Sequence, residues 1–350
     1  MFTSMTIAVD LAKTVFEIAV ADGRGTIIER HRLSRSQFQR FFRNREHATV
    51  VMEACGTAHF WGRELKRLGF IVRLLPAQYV RPYRRRNKTD RADAAALLEA
   101  ARCGEILDVP VKTQDQQAIQ GLHRIRSQWM AARTARINAL RGLLREQGVD
   151  LPAGASHAVK AAPRAIDDER IPYALRLALL DIVGEILSLE ARIERIEAQL
   201  ASHARDDASV QTLLAVPGIG LLSATALVAA IGSPANFRNG RHLAAWLGLT
   251  PKESSSGMRR QLGRISKRGD AYLRTLLTHG ARAVLSRAKQ LAHQGKPLSQ
   301  LQTWALSLEQ RAGHNKATCA LANKLARIAW AVWMHQRAFN GNYQPHALAA

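Results

Sequence analysis

Four acids and a serine triplet carry the chemistry that this sequence can offer: Asp10, Glu53, Asp90 and Asp93, then Ser254, Ser255 and Ser256. Carboxylates are hard oxygen donors, and a set of them with no His or Cys suits Mg2+ rather than zinc. Paired ions about 3.5–4 Å apart can activate an attacking oxygen and stabilise a leaving one. Asp90 and Asp93 lie inside a basic run formed by Arg81, Arg84, Arg85, Arg86, Lys88 and Arg91. Positive charge keeps a carboxylate ionised and draws in a polyanion. The serines precede Gly257, and Arg259, Arg260, Arg264, Lys267, Arg268 and Arg274 follow. Guanidinium groups stabilise the charge that develops at a pentavalent phosphorus. Serine is a poor nucleophile until something takes its proton. No His stands beside the triplet, and a metal-bound oxygen from the acidic site would fill that gap. Plainer readings stand alongside. Asp90 with Asp93 can cap a helix, Asp10 can be a solvated strand end, Glu53 can cap the turn at Gly56, and the serines can form a flexible turn.

These residues need a framework to bring them together. Short β-rich runs at 6–11, 15–20 and 26–32 read as an antiparallel meander. A helix at 36–43, a buried strand at 49–52 ending on Glu53, a helix at 58–68 and a strand at 70–75 follow. The alanine- and leucine-rich segment 92–102 reads as a helix. Three strands followed by strands alternating with helices indicate a mixed α/β sheet. If the strands ending at Asp10 and Glu53 are neighbours, their side chains converge, and the Asp90 helix can deliver two more carboxylates.

After Pro110 the composition changes. Residues 114–147 read as one long basic helix, and 151–172, with three prolines, as a connecting loop. Leu175, Leu179, Ile182, Ile186, Leu189, Ile193, Ile196 and Leu200 alternate spacings of four and three, a coiled-coil seam. It serves either a hairpin or dimer stalk, or packing against 114–147 within one chain. Val216-Pro217-Gly218-Ile219-Gly220 before an apolar helix at 221–231 reads as a helix-hairpin-helix, with Gly218 and Gly220 letting backbone N–H groups approach a phosphate. A tight turn between packed helices is the plainer account. Residues from about 291 read as helical and 336–350 as a loose tail.

Lys plus Arg outnumber Asp plus Glu by 51 to 28 over 350 residues, a net charge of +23. Such an excess implies a polyanionic partner, nucleic acid first. No run of about 18 apolar residues reads as a membrane span, and the start carries no signal-peptide pattern. Three cysteines without a Cys-x-x-Cys fit a reducing cytoplasm. The absence of a phosphate loop implies chemistry without nucleotide hydrolysis.

The joint order of these pieces resembles the DEDD transposases of bacterial insertion sequences, whose members include bridge-RNA-guided recombinases. The resemblance rests on Ile7-Ala8-Val9-Asp10, Met52-Glu53, Asn87-Lys88-Thr89-Asp90-Arg91-Ala92-Asp93-Ala94 and Val109-Pro110-Val111-Lys112-Thr113. It continues through Val216-Pro217-Gly218-Ile219-Gly220, Leu247-Gly248-Leu249-Thr250-Pro251 and Ile265-Ser266-Lys267-Arg268-Gly269-Asp270. It implies a RuvC-like (RNase H-like) α/β domain over 1–110, long helices and a coiled-coil stalk over 111–207, a mostly α helix-hairpin-helix transposase domain over 208–340, and a tail. Asp10, Glu53, Asp90 and Asp93 would bind Mg2+. Ser255 would be the nucleophile, with Ser254 and Ser256 as lesser candidates because Met258 stands where the family usually has a second glycine. Gly218, Gly220, Arg259, Arg260, Arg264, Lys267 and Arg268 would contact nucleic acid. Donor and target DNA, a bridge RNA and a homotetramer would be the partners, in the cytoplasm and with no membrane. The rivals are a RuvC-like nuclease that cuts with metal-activated water and a non-catalytic nucleic-acid-binding protein.

Overall fold

A computed structural model of the chain describes residues 5–84 and 89–342. Two compact units divide it, Met1–Gln117 and Ala118–Ala350. Arg85, Arg86, Asn87 and Lys88 of the basic run, and tail residues 343–350, lie outside the described residues.

The first unit is built on a five-stranded sheet of order β3-β2-β1-β4-β5. Its strands are β1 (Thr6–Asp10), β2 (Val15–Ala21), β3 (Ile27–Ser34), β4 (Thr49–Glu53) and β5 (Ile71–Leu75). The β1–β2 and β2–β3 pairs are antiparallel, as the short connections require, whereas β1–β4 and β4–β5 are parallel. Helices α1 (Arg35–Arg43) and α2 (Ala58–Arg67) follow β3 and β4; the short α3 (Ala77–Val80) and α4 (Asp90–Ala101) follow β5. This mixed α/β unit is consistent with a RuvC-like domain.

Strand alternation sorts the sheet's side chains to two faces. Ile7, Val9, Phe16, Ile18, Val50 and Met52 pack with Phe38 and Phe42 of α1 and Trp61 and Leu65 of α2. On the other face Ala8, Ala19, Ala21 and Val51 meet Ala94, Leu97, Leu98 and Ala101 of α4. The small residues on both sides of that contact let α4 lie close to the strands. Beyond α4, the Val109 N–H donates to Leu74 O at 2.7 Å, which ties the Val-Pro-Val segment to β5.

The second unit is helical apart from one hairpin. Its elements are α5 (Gln114–Glu146, starting at the end of the first unit), α6 (Ala155–Ile166), α7 (Tyr173–Asp206), α8 (Ala208–Leu214), α9 (Leu221–Ile231) and α10 (Gly240–Trp246). Strands β6 (Pro251–Glu253) and β7 (Leu262–Ile265), then α11 (Ala271–His293), α12 (Gln300–Ala312) and α13 (His314–His335), complete it. The apolar repeat of α7 is used within the chain. Leu179, Val183 and Ile186 pack on Ile137, Leu140 and Leu144 of α5 and on α6, and Ile196 and Leu200 pack with Ile119. Arg126–Glu197, Arg133–Glu190 and Arg136–Glu185 bridge α5 to α7, and the opposed numbering makes the two helices antiparallel.

Two expectations change here. The stretch 151–172 contains helix α6, despite its prolines. Ala158, Val159, Ala162 and Ile166 are buried on one side of it, and that burial outweighs the N–H that Pro163 lacks in the final turn. The helical region after the serines begins at Ala271, well before 291. Among the described residues no helix is long and apolar enough to cross a membrane.

Candidate active site: an acid cluster and a serine hairpin

Asp10 ends β1 and Glu53 ends β4. The two strands are parallel neighbours in the register Val9↔Met52, so the two acids are the next pair along. Ala8 and Val51, two residues back, face α4; by the same alternation Asp10 and Glu53 point to that side. Helix α4 then brings Asp90 and Asp93, three residues apart in its first turn.

The cap of α4 separates two readings of these aspartates. Thr89 is the N-cap, its Oγ1 accepting the Ala92 N–H at 3.2 Å. Asp90 therefore stands inside the helix and has no capping duty. Both carboxylates still gain from the helix N-terminus.

The acids feel one another. Asp10 is pushed up to about 6, first by burial and then by repulsion from Asp93, Asp90 and Glu53, with Arg84 opposing. Arg84 makes an ion pair with Asp93, and both side chains are largely covered. The contact joins Arg84 Nε to Asp93 Oδ1, so that covered carboxylate oxygen faces a cation. Among the described residues no three His, Cys, Asp or Glu side chains form a group that could hold a metal ion as they stand. An all-oxygen donor set and the repulsion that the acids exert on Asp10 nonetheless fit a hard divalent cation. Arg84 places one positive charge beside the acids.

The serine triplet, expected as a loop, is the end of a β-hairpin. Strands β6 and β7 pair Pro251 with Ile265 and Glu253 with Leu262. Ser254 N–H donates to Gln261 O at 3.0 Å, and Ser256 and Arg259 exchange backbone bonds of 3.3 and 3.1 Å across the turn Gly257-Met258. Gly257 has φ +54, which fits the first position of a tight two-residue hairpin turn. Ser255 is exposed. Its Oγ donates to Glu253 Oε1 at 2.8 Å and accepts the Gln261 N–H at 3.2 Å. Arg260 Nε donates to the same Glu253 oxygen at 3.3 Å. The Ser255 hydroxyl, and then Arg260, hold the Glu253 carboxyl below its ordinary range. Glu253 was absent from the residues singled out in the sequence. Its signal was a spacing of two from Ser255, which places both on one side only if the segment is extended.

Arg259, Arg260, Arg264, Lys267 and Arg268 are all exposed on or just beyond the hairpin. The base of the hairpin explains much of the flanking motif. A Cβ on Gly248 would lie 2.0 Å from Arg268 O, and one on Gly269 1.9 Å from Trp246 O, both at positive φ. Asp270 caps α11 by accepting the Tyr272 and Leu273 N–H groups at 2.9 and 3.0 Å.

The Pro-Gly-Ile-Gly turn does separate two helices, α8 and α9. Gly218 packs against α11, where a Cβ would meet Gly280 O at 2.8 Å. Gly220, at the N-cap of α9, is exposed with open space around it. Of the two glycines, Gly220 is the one whose surroundings leave room for a phosphate. The acids belong to the first unit and the hairpin to the second.

Both parts of the chain are similar to known proteins. Residues 7–148 match a family model described as a transposase of the DEDD IS110 type. Residues 210–295 match the transposase IS116/IS110/IS902 family. A probable family 20 transposase of Pseudomonas aeruginosa is 45% identical over 329 residues, covering 93% of this chain and 96% of that protein. The transposase for insertion sequence element IS1111A of Coxiella burnetii is 37% identical, covering 95% of this chain and 90% of the relative. The transposase for IS1328 of Yersinia enterocolitica is 37% identical over 93% of this chain and 96% of its own length. With both halves matched in order and near-complete coverage on both sides, the chain belongs to the IS110/IS116 family of insertion-sequence transposases.

Proposed function

We propose that this transposase cuts and rejoins DNA through a covalent phosphoserine link made by Ser255, with Asp10, Glu53, Asp90 and Asp93 holding Mg2+. The observation that carries the reading is the exposed Ser255 hydroxyl, set beside a carboxylate acceptor at 2.8 Å that Arg260 also contacts, on a hairpin rich in exposed basic residues. A water-using nuclease has no need of that arrangement. The Ser255 Oγ–P bond forms as the P–O3′ bond breaks, which leaves a 5′ phosphoserine and a 3′ hydroxyl. The 3′ hydroxyl of the exchange partner then attacks phosphorus and releases the serine. The phosphoester energy is retained throughout, consistent with a sequence that lacks a nucleotide-hydrolysis motif. When bound, Mg2+ would polarise the phosphate and stabilise its developing charge. Arg259, Arg260, Arg264, Lys267 and Arg268 would hold the DNA backbone, as would the open Gly220 turn.

The resemblance to guided recombinases adds a bridge RNA and a homotetramer to this reading, and the net charge of +23 suits two nucleic acids as partners. RNA copurifying with the protein and the mass of the DNA-bound assembly test those two parts.

The test of the chemistry is a denaturing gel of protein incubated with DNA carrying the element's ends. Wild type should show protein attached to cut DNA. Ser255→Ala should lose that band and keep DNA binding, whereas Ser254→Ala and Ser256→Ala should keep both. Cut DNA with no attached protein would replace this reading with the activated-water nuclease. Binding itself should weaken steeply with salt: neutralising six to ten phosphates gives a loss of about 10³–10⁵ in affinity between 50 and 200 mM. A flat salt profile in a filter-binding assay would count against contact by the hairpin cations.

A further inference from the structure

We infer that Glu253 takes the proton of Ser255 as that hydroxyl attacks the DNA phosphorus, and so is a catalytic residue of the hairpin. This rests on the phosphoserine reading above and names the base that reading needs.

The bonding of the hydroxyl supports the assignment. A serine Oγ has one proton to donate and two lone pairs to offer. Here the proton points at Glu253 Oε1, 2.8 Å away. One lone pair accepts the Gln261 N–H at 3.2 Å. The other is left for phosphorus. Both partners are fixed by the hairpin, since Glu253 pairs with Leu262 and Ser254 N–H bonds to Gln261 O. Arg260 Nε on the same Glu253 oxygen, at 3.3 Å, keeps that carboxylate ionised and in place. Residues 248–270 contain no histidine, so no imidazole of the hairpin competes for the role.

The step balances without a further reactant. Oγ–P forms and P–O3′ breaks. The Ser255 proton moves to Glu253, which releases it to solvent, and the departing 3′ oxygen takes a proton from solvent. Attack by the incoming 3′ hydroxyl reverses the sequence: its proton leaves to solvent as O3′–P forms and Oγ–P breaks, and the departing Ser255 oxygen takes a proton that Glu253 has picked up from solvent.

Glu253→Gln separates this role from mere positioning. Glutamine keeps a carbonyl oxygen that can accept the Ser255 hydrogen bond, but it is a far weaker base. Full-length protein and DNA with the element's ends would be sampled over time on denaturing gels, with native gels for DNA retention. The expected result is adduct formation slowed about 10²–10⁴-fold, the usual contribution of a general base, with DNA retention unchanged. Glu253→Asp should recover part of the rate. A Glu253→Gln protein that forms adduct within a few-fold of wild type overturns the assignment and leaves the phosphoserine reading standing. A wild type that cuts without adduct removes both.

Discussion

Asp10→Asn should make the protein inactive and more heat-stable at once. In a chelator at pH 8 the thermal midpoint of the Met1–Gln117 unit should rise by about 4 °C, the shift that ~1 kcal/mol makes in a unit of that size. Excision of the element in cells should fall to background. The reason lies in the site: burial first, and then repulsion from Asp93, Asp90 and Glu53, lift the Asp10 carboxyl from 3.8 to about 6. The sign follows from proton linkage. A carboxyl raised in the folded state binds its proton more tightly there than in the unfolded chain. Its stabilising contribution is complete below about pH 4 and is lost as pH rises through about 6. Asparagine resembles the protonated acid, so the variant and wild type should converge near pH 4 and separate above pH 6. Adding Mg2+ at pH 8 should raise the wild-type midpoint, since an ion that binds only the folded state stabilises it by mass action. The variant, with one donor fewer, should respond less. Equal midpoints from pH 4 to 8 in calorimetry would mean that the four acids do not share one field.

Gly269→Ala should abolish folding of the serine hairpin and much of the unit around it. The added Cβ would sit 1.9 Å from Trp246 O, and φ is +84. Backbone must move at both places, and the cost should exceed about 4 kcal/mol, within the exceptional tail for single substitutions. Two controls isolate the cause. Gly257→Ala, at the tip with φ +54 and open space, should cost about 1–2 kcal/mol from the left-handed conformation alone. Gly220→Ala has open space and φ −91, so it should lie within about 1 kcal/mol of wild type. Soluble yield and denaturant midpoints would rank the three, and a Gly269→Ala protein as stable as Gly220→Ala would show that the hairpin base is looser than drawn.

The acid cluster was legible because its framework is written in apolar runs. Ile7-Ala8-Val9 and Val50-Val51-Met52 can only be buried strands, and each stops at an acid. The alanine-rich α4 declares itself by composition, and even its cap, Thr89, is an ordinary capping residue. Arg84 was visible as part of a basic run, but its pairing with Asp93 needed coordinates. The hairpin was illegible for the opposite reason. Its strands are three and four residues long, and all but Ile265 is exposed, so no hydrophobic alternation marks them. Without the strand, Glu253 and Ser255 are merely near in sequence. Helix α6 was hidden by Pro163, whose place in the last turn leaves the buried face of the helix intact. The apolar repeat of α7 was plain, but its partner was not. The three arginine–glutamate bridges to α5 show which surface it covers.

The Thr89 cap has an implication for genetics. Because a threonine closes the start of α4, neutral replacements at Asp90, which unlike Asp93 is not held by the Arg84 ion pair, would forfeit only a modest dipole attraction of about 0.3–1 kcal/mol. Such alleles should yield well-formed but inert protein. Coexpressed with an intact copy, they would occupy the same termini of the mobile element and lower its jumping frequency, a dominant interference that a misfolded allele could not produce.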